Sequence, residues 1–299
     1  MEPLLPIATN VNILRVDIKN SASSRLTKRT YEAYAIISKT YVPRRLSMIP
    51  MLCCGVLSLS ATTIVAVYTP EDISLAADSK GTRDDGKEVS VCKIFHLGGE
   101  AYFVNAGLIG GAATNFDPAK TAFRATRNVK RYQDKMIAAT RALSDALLAE
   151  ANAVKTIRPD ILPKMSITFM FVGFKDGAPF MIASNVRITA TDGGTLKATP
   201  GPILECPSAT CATPVTMPLG KIEAIQRYLA RPHPRIMDSA DSARQFVQLE
   251  IDDHESSVGG PIDVLRITAA GTQLIQHKPG CPVELGPSSP VRSKPANKP

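Results

Sequence analysis

Thr62-Thr63-Ile64-Val65-Ala66-Val67-Tyr68, then Pro70-Glu71-Asp72, then Ile73-Ser74-Leu75-Ala76-Ala77-Asp78, follow one another in the chain. Two apolar, β-branched runs around a Pro/acidic turn read as antiparallel strands joined by a short hairpin. With the turn at 70–72, antiparallel pairing brings Thr62 and Asp78 to the same open end. Residues 91–97 and 101–106 repeat the pattern around Gly98-Gly99, which sets Lys93 opposite roughly Asn105 and near Gly107. Two hairpins in succession predict an antiparallel sheet. Set side by side, they bring Thr62, Asp78, Lys93 and Gly107 together.

Beyond the hairpins the period changes. Between residues 118 and 154, Ala122, Phe123, Val129, Tyr132, Met136, Leu143 and Leu147 recur at three- and four-residue steps, predicting one long helix or two. Asp117 is placed to cap it and Pro118 to open its first turn. Strand character returns at 166–172 and 179–184 around Lys175-Asp176-Gly177, helical character at 219–230 and 239–250, and strand character at 262–268 and 272–276. Pairs of helices between antiparallel strands do not fit simple βαβ crossovers. Two stacked sheets with a helical layer on each outer face satisfy the order, so the expected fold is α+β, a four-layer αββα sandwich. Residues 1–61 are expected to form a basic extension or propeptide, 62–278 the folded body, and 279–299, rich in Pro and Ser, a disordered tail.

The chain has 299 residues, 44% of them hydrophobic, which is ample for a buried core. Its net charge of +8 gathers at the ends, in Arg15, Lys19, Arg25, Lys28, Arg29, Lys39, Arg44 and Arg45 and again in Lys278, Arg292, Lys294 and Lys298. These clusters lack interleaved aromatics and any nucleic-acid module, so they read as solvated ends and no nucleic-acid partner is expected. None of the six cysteines has two-residue spacing, and the four histidines are scattered, so neither a metal nor a cofactor is expected. Cys206 and Cys211 flank a short Pro/Ser/Thr loop and are expected as unpaired loop thiols. No apolar run reaches the ~18 residues of a membrane span. The 14 apolar residues 48–61 behind Arg44-Arg45 have the charge-then-apolar order of a signal peptide but lie far from Met1. A propeptide or core strand is the expected reading there, and a cytoplasmic location, with export as the alternative.

The four converging residues have a shared chemistry. A threonine hydroxyl is a weak nucleophile until a base takes its proton, and the amine of a chain-initial threonine, with an ordinary pKa of about 7.7–8.0, suits that task near neutral pH. Lys93 supplies positive charge that favours the alkoxide and keeps the amine unprotonated, and Asp78 holds the lysine. The Gly107 amide faces a tetrahedral oxyanion, a donor worth about 3 kcal/mol in measured cases. The nucleophile needs a free amine, which Thr62 acquires only when the bond after Ala61 is cut.

The spacings are 16 residues from Thr62 to Asp78, 15 to Lys93 and 14 to Gly107. With Thr62-Thr63-Ile64-Val65-Ala66-Val67, Leu75-Ala76-Ala77-Asp78-Ser79-Lys80, Lys93-Ile94-Phe95, Asn105-Ala106-Gly107 and Gly259-Gly260-Pro261-Ile262-Asp263-Val264, the chain resembles the proteasome β-type subunits and their bacterial ATP-dependent relatives, N-terminal nucleophile hydrolases of αββα fold. The resemblance implies a threonine peptidase acting on peptides or unfolded proteins, in a ring-forming homo-oligomer with an unfoldase as a further expected partner. It selects Thr62 over Thr63 as nucleophile and assigns Asp78, Lys93 and Gly107 the roles above. Three positions depart from the family pattern: Ala61 stands where precursors carry glycine, Glu255 and Val258 where an aspartate and a serine support the nucleophile, and Leu219-Gly220-Lys221 where a glycine-serine pair opens a helix. Glu255 is the expected substitute for the aspartate. An amidase acting on small amides and an inactive structural subunit are the other readings.

Overall fold

The computed structural model describes residues 62–82, 87–98, 101–208, 211, 214–231, 238–253 and 257–281, together with the backbone of two earlier strands. Those two, β1 (Val11–Ile18) and β2 (Tyr31–Ser38), pair antiparallel with each other. The sequence predicts no strands there, although Arg15-Val16-Asp17-Ile18 alternates polar and β-branched residues.

The first sheet of the body runs in the order β13-β3-β4-β14-β15, all antiparallel. Its members are β3 (Thr63–Tyr68), β4 (Asp72–Ala77), β13 (Val215–Gly220), β14 (Asp263–Thr268) and β15 (Gly271–Gln276). The second sheet runs β11-β10-β9-β8-β7, with β12 also on β10. It comprises β7 (Ile94–His96), β8 (Ala101–Gly107), β9 (Ser166–Lys175), β10 (Ala178–Ala190), β11 (Leu196–Pro200) and β12 (Leu204–Cys206). A small separate ribbon, β5 (Lys80–Thr82) with β6 (Glu88–Ser90), leads from β4 towards β7. Among the described residues four α-helices, α1 (Pro118–Thr126), α2 (Tyr132–Val154), α3 (Glu223–Leu229) and α4 (Ser239–Asp253), and a short 3-10 helix, Pro159–Lys164, complete the body. The chain is therefore α+β with antiparallel sheets.

Side-chain alternation explains the packing. Successive residues of a strand point to opposite faces, and a strand buried on both faces reads as the continuous apolar run that opens the sequence analysis. Ile64, Ala66 and Tyr68 join Val104, Ala106, Met170, Val172 and Met181 in a core shared by the two sheets. Val65 and Val67 face the other way, onto Ile225, Leu229, Phe246 and Val247 of α3 and α4. Phe103, Phe169 and Phe171, alternating with the shared-core residues of β8 and β9, pack on Met136, Leu143 and Leu147 of α2. Each buried Val, Leu, Ile, Phe or Met side chain among them contributes about 1.5–3 kcal/mol.

Several expectations are corrected. The helical stretch at 118–154 divides into α1 and α2, and Asp117 does cap α1 by accepting from the Lys120 amide at 3.0 Å. A helix predicted from residue 219 instead begins at Glu223, because 215–220 pairs with β3 as β13. Pro218 lies in that strand, which stands at the end of its sheet among the described strands, where a missing donor is tolerated. β10 runs on to Ala190 and engages β12 and β11 in turn, a length that its polar outer half conceals. Cys206 and Cys211 are not free thiols but form a disulfide, and Cys92 forms a second with Cys281. The expected tail lies outside the described residues from 282 onward, as does most of the expected extension.

Candidate active site

The site is built from the open end of the first hairpin. Thr62 precedes β3 and Asp78 follows β4, and the register Ile64↔Ala77 sets Thr63 against Asp78. The Asp78 amide donates to the Thr63 carbonyl at 3.1 Å, and the Thr63 amide donates to Asp78 Oδ1 at 2.8 Å. Lys93, just before β7, donates from Nζ to the same Oδ1 at 2.5 Å and to the Lys80 carbonyl at 2.8 Å. Asp78 Oδ2 accepts from the amides of Lys80 at 3.1 Å and Gly259 at 3.3 Å. Four donors thus occupy the roughly four lone-pair positions of one carboxylate. The ion pair is sealed from solvent, the two side chains being 1% and 0% exposed.

Such burial sets the electrostatics. Desolvation pulls the Lys93 ammonium below its ordinary pKa of 10.5; Asp78 opposes the shift by charge and hydrogen bond, and Lys278 adds a small like-charge repulsion. Lys278 belongs to a segment fixed nearby: its amide donates to Asp263 Oδ1 at 2.6 Å, and the Cys92–Cys281 disulfide ties that segment to the residue before Lys93.

Thr62 is also held by backbone. Its carbonyl accepts from the Lys221 amide at 2.8 Å, and Thr63 Oγ1 donates to the Lys221 carbonyl at 3.0 Å. Gly220 makes this approach possible: it has φ +86°, and a Cβ there would collide with the Thr62 carbonyl. Both Thr62 and Thr63 are buried, at 1% and 0% exposure. Gly107 ends β8 at φ +95°, where a Cβ would collide with the Ser166 carbonyl oxygen. Glycine is thus required for the backbone course there, independently of any chemistry.

Asp78 and Lys93 therefore converge through bonded contacts with Thr63, the residue after Thr62, and Gly107 closes the strand that pairs with β7, since Ile94↔Val104 puts Lys93 level with Asn105. Glu255 lies outside the described residues. Val258 is fully buried, and the neighbouring Gly259 amide serves Asp78. Ser79 donates to the Pro261 carbonyl at 2.5 Å, which joins the same loop to the end of β4. Sequence reading missed the Lys80 carbonyl and the Gly259 amide, which act through backbone atoms that side-chain chemistry does not announce, and it put Gly220 at the opening of a helix, whereas it ends β13 against the Thr62 carbonyl. It also missed the cleft beside Lys93, of about 320 Å³, lined by Phe95, Asn105, Ile109 and the start of α1 among others. The alternation of β8 was the available signal, for Asn105 shares a face with Gly107. Among the described residues no group of His, Cys, Asp and Glu is placed to hold a metal ion.

No family model and no curated protein matches the chain. Among solved structures it is similar to a chain of the helical assembly of the Anbu complex from Pseudomonas aeruginosa, at 18% identity over 74% of this chain and 88% of that one, with a TM-score of 0.50. Two Anbu structures from Hyphomicrobium sp. strain MC1, one a Gly-1 mutant, are 20% and 19% identical over 73% of this chain and 88% of each, with TM-scores of 0.45 and 0.43. Identities this low show likeness of fold alone, and of these three the Pseudomonas structure, at a TM-score of 0.50, carries it. These findings overturn the family assignment drawn from the motifs. Neither a family model nor a curated protein connects the chain to the proteasome β-type subunits and their bacterial relatives; what the comparisons give is the fold of an Anbu chain. No described helix is long and apolar enough to cross a membrane.

Proposed function

We propose that this chain is a threonine-type hydrolase that cleaves peptide bonds through an acyl-enzyme on Thr62, after residues 1–61 are removed. One observation carries the reading: a single carboxylate oxygen of Asp78 receives both the Thr63 amide and the Lys93 ammonium, so a buried cation is fixed one residue from the proposed nucleophile. A surface ion pair would need no such seal, whereas perturbed buried lysines concentrate at functional sites.

In the proposed reaction Thr62 Oγ1 attacks the substrate carbonyl carbon while the freed Thr62 amine takes its proton. The Gly107 N–H stabilises the oxyanion. Collapse expels the amine product, which leaves with the proton, and water then hydrolyses the ester by the same base. Lys93 favours the developing alkoxide by charge, and Asp78 holds Lys93. Glu255 is the proposed further support for the nucleophile. The peptide or unfolded protein is the proposed substrate, with a body spanning 62–278 in the layer order helix, sheet, sheet, helix, which the three separate cores support. Self-association is proposed from the Pseudomonas Anbu chain, which belongs to a helical assembly; a monomer by light scattering would remove it.

A second reading, an inactive structural subunit, is favoured by the burial of Thr62 at 1% exposure behind Ala61. Intact mass and N-terminal sequencing of protein from its native host separate the two. Chains beginning at Thr62, with turnover abolished at least ~10³-fold by Thr62→Ala, are expected of the hydrolase. A chain that keeps residue 61 under those conditions belongs to the second reading.

A further inference from the structure

After β15 the chain returns to the body at Lys278 and Cys281. Both are 9% exposed, whereas His277, Pro279 and Gly280 between and before them face solvent. Backbone holds Lys278, whose amide donates to Asp263 Oδ1 at 2.6 Å, and the His277 ring lies 3.4 Å from the same oxygen. The Lys278 ammonium has no carboxylate or hydrogen-bond partner among the described residues, yet it lies near enough to Lys93 to act on it as a like charge. Burying a cation without a partner is unfavourable, so another force must keep this segment down. The disulfide from Cys281 to Cys92, the residue before Lys93, supplies it.

We infer that the Cys92–Cys281 disulfide is a thiol-reducible latch over the Asp78–Lys93 pair, and that the reagent it answers to is a dithiol. Cys92 is the partly exposed partner and so the point of attack. A thiolate of the dithiol forms a mixed disulfide with Cys92 and expels the Cys281 thiolate; the second thiolate of the dithiol then displaces Cys92. Two electrons pass to the protein, each cysteine sulfur ends with one proton, and the dithiol leaves as its disulfide. With the bond cut, Lys278 gains hydration by lifting away with residues 277–281. Water then reaches the Asp78–Lys93 pair, whose side chains are 0–1% exposed while the latch is closed. The Cys206–Cys211 bond has no such reach: its partners are five residues apart, and its opening frees their own loop. The latch stands without the hydrolase reading. Under that reading it also regulates the site, because a charge screened by water supports the Thr62 alkoxide less, and reduction slows turnover.

The test compares the full chain, oxidised and after reduction by dithiothreitol under native conditions. Acetylation of Lys93 by an N-hydroxysuccinimide ester and amide exchange are read by mass spectrometry. Reduction should raise Lys93 acetylation and exchange at 277–281 at least about tenfold, as expected when a cross-link ceases to hold the closed state. α2 should stay protected, which separates a local opening from unfolding. Reoxidation should restore the slow rates, a result that needs no variant to fold. Cys92→Ser with Cys281→Ser should react fast in either condition, and Cys206→Ser with Cys211→Ser should switch like wild type. Lys278→Met should blunt the switch, because the charge that lifts the segment is gone. Lys93 labelling that is the same in both redox states overturns the latch, whether or not the protein turns over peptide. Redox-dependent labelling without turnover counts against the hydrolase reading alone.

Discussion

Asp72 and Asp78 bracket one strand, β4, and both are buried, yet the two ends of that strand are built on different principles. Asp72 takes side-chain partners: Thr69 Oγ1 at 2.6 Å, Ser239 Oγ at 2.7 Å and Arg266 Nε at 2.5 Å, with Arg266 also reaching Asp238 at 3.0 Å. Arg266 is a third exposed, and an arginine never gives up its charge. Asp78 takes three backbone amides and a lysine sealed from solvent, whose proton burial loosens. The Asp72 end pins a turn, α4 and β14 together. The Asp78 end stores a cation that can titrate, beside Thr62. Burial of a carboxylate alone thus does not distinguish the two ends; the nature of its cation does.

The largest effect that separates the ends is expected from removing one negative charge. Asp78→Asn leaves the Lys93 ammonium buried without its counter-charge, a loss of about 3–5 kcal/mol, read as a fall in the urea midpoint at unchanged slope. Asp72→Asn should cost clearly less, because Arg266 reaches solvent and keeps Asp238. Equal losses would break the comparison.

Next in size is the covalent clamp, which belongs to the Asp78 end alone. Cys92 and Cys281 are 189 residues apart in sequence and join the segment before Lys93 to the segment after Lys278. Cys281→Ser is expected to lower stability by about 2–4 kcal/mol. A reducing agent should lower wild type by a similar amount and leave the variant less affected; indifference of wild type to reduction would detach the clamp from the fold.

Acidity sharpens the contrast further. Lys93 has a folded pKa below its ordinary 10.5, so between those two values the unfolded chain binds more protons than the folded one. By linkage its contribution to stability rises with pH across that window, by at most about 1.4 kcal/mol per pH unit. Below the window both states are protonated and the slope vanishes. Lys93→Met should abolish the rise, whereas Arg266, protonated throughout, contributes none. The pH dependence of the urea midpoint for wild type and Lys93→Met is the measurement, and parallel curves would contradict a buried, shifted lysine.

How far these features were legible follows from what kind of atom forms them. The hairpin of β3 and β4 is plain in the sequence because both faces of each strand are apolar and the turn carries Pro70-Glu71-Asp72. The pairing of Thr62's end with Asp78 follows from the turn position alone. β13 was hidden because residues 219–230 read as one helical stretch, which took in the end of the strand, and its partner β3 lies about 150 residues away in the chain. The Gly259 and Lys80 contributions were hidden because every residue has an amide and a carbonyl. The Cys92–Cys281 bond depends on how β7 and the end of β15 approach, which no local pattern encodes. Asn105 was visible as a name but not as a donor whose Nδ2 lacks a partner among the described residues, since satisfaction of a polar group is a property of its surroundings.

Arg266→Ala should give the smallest effect and therefore tests the comparison most finely. It removes two contacts to carboxylates, yet exposed or partly exposed ion pairs contribute about 0–1 kcal/mol after screening and side-chain ordering. Asp72 keeps its hydrogen bonds from Thr69 and Ser239, and the space vacated by a one-third-exposed guanidinium opens to water, which can hydrate the remaining charge. A loss of about 1 kcal/mol, shrinking in high salt, is expected in urea unfolding. A loss as large as that of Asp78→Asn would mean that the Asp72 end is sealed as tightly as the other, and the distinction between a structural pin and a stored, titratable cation would fail.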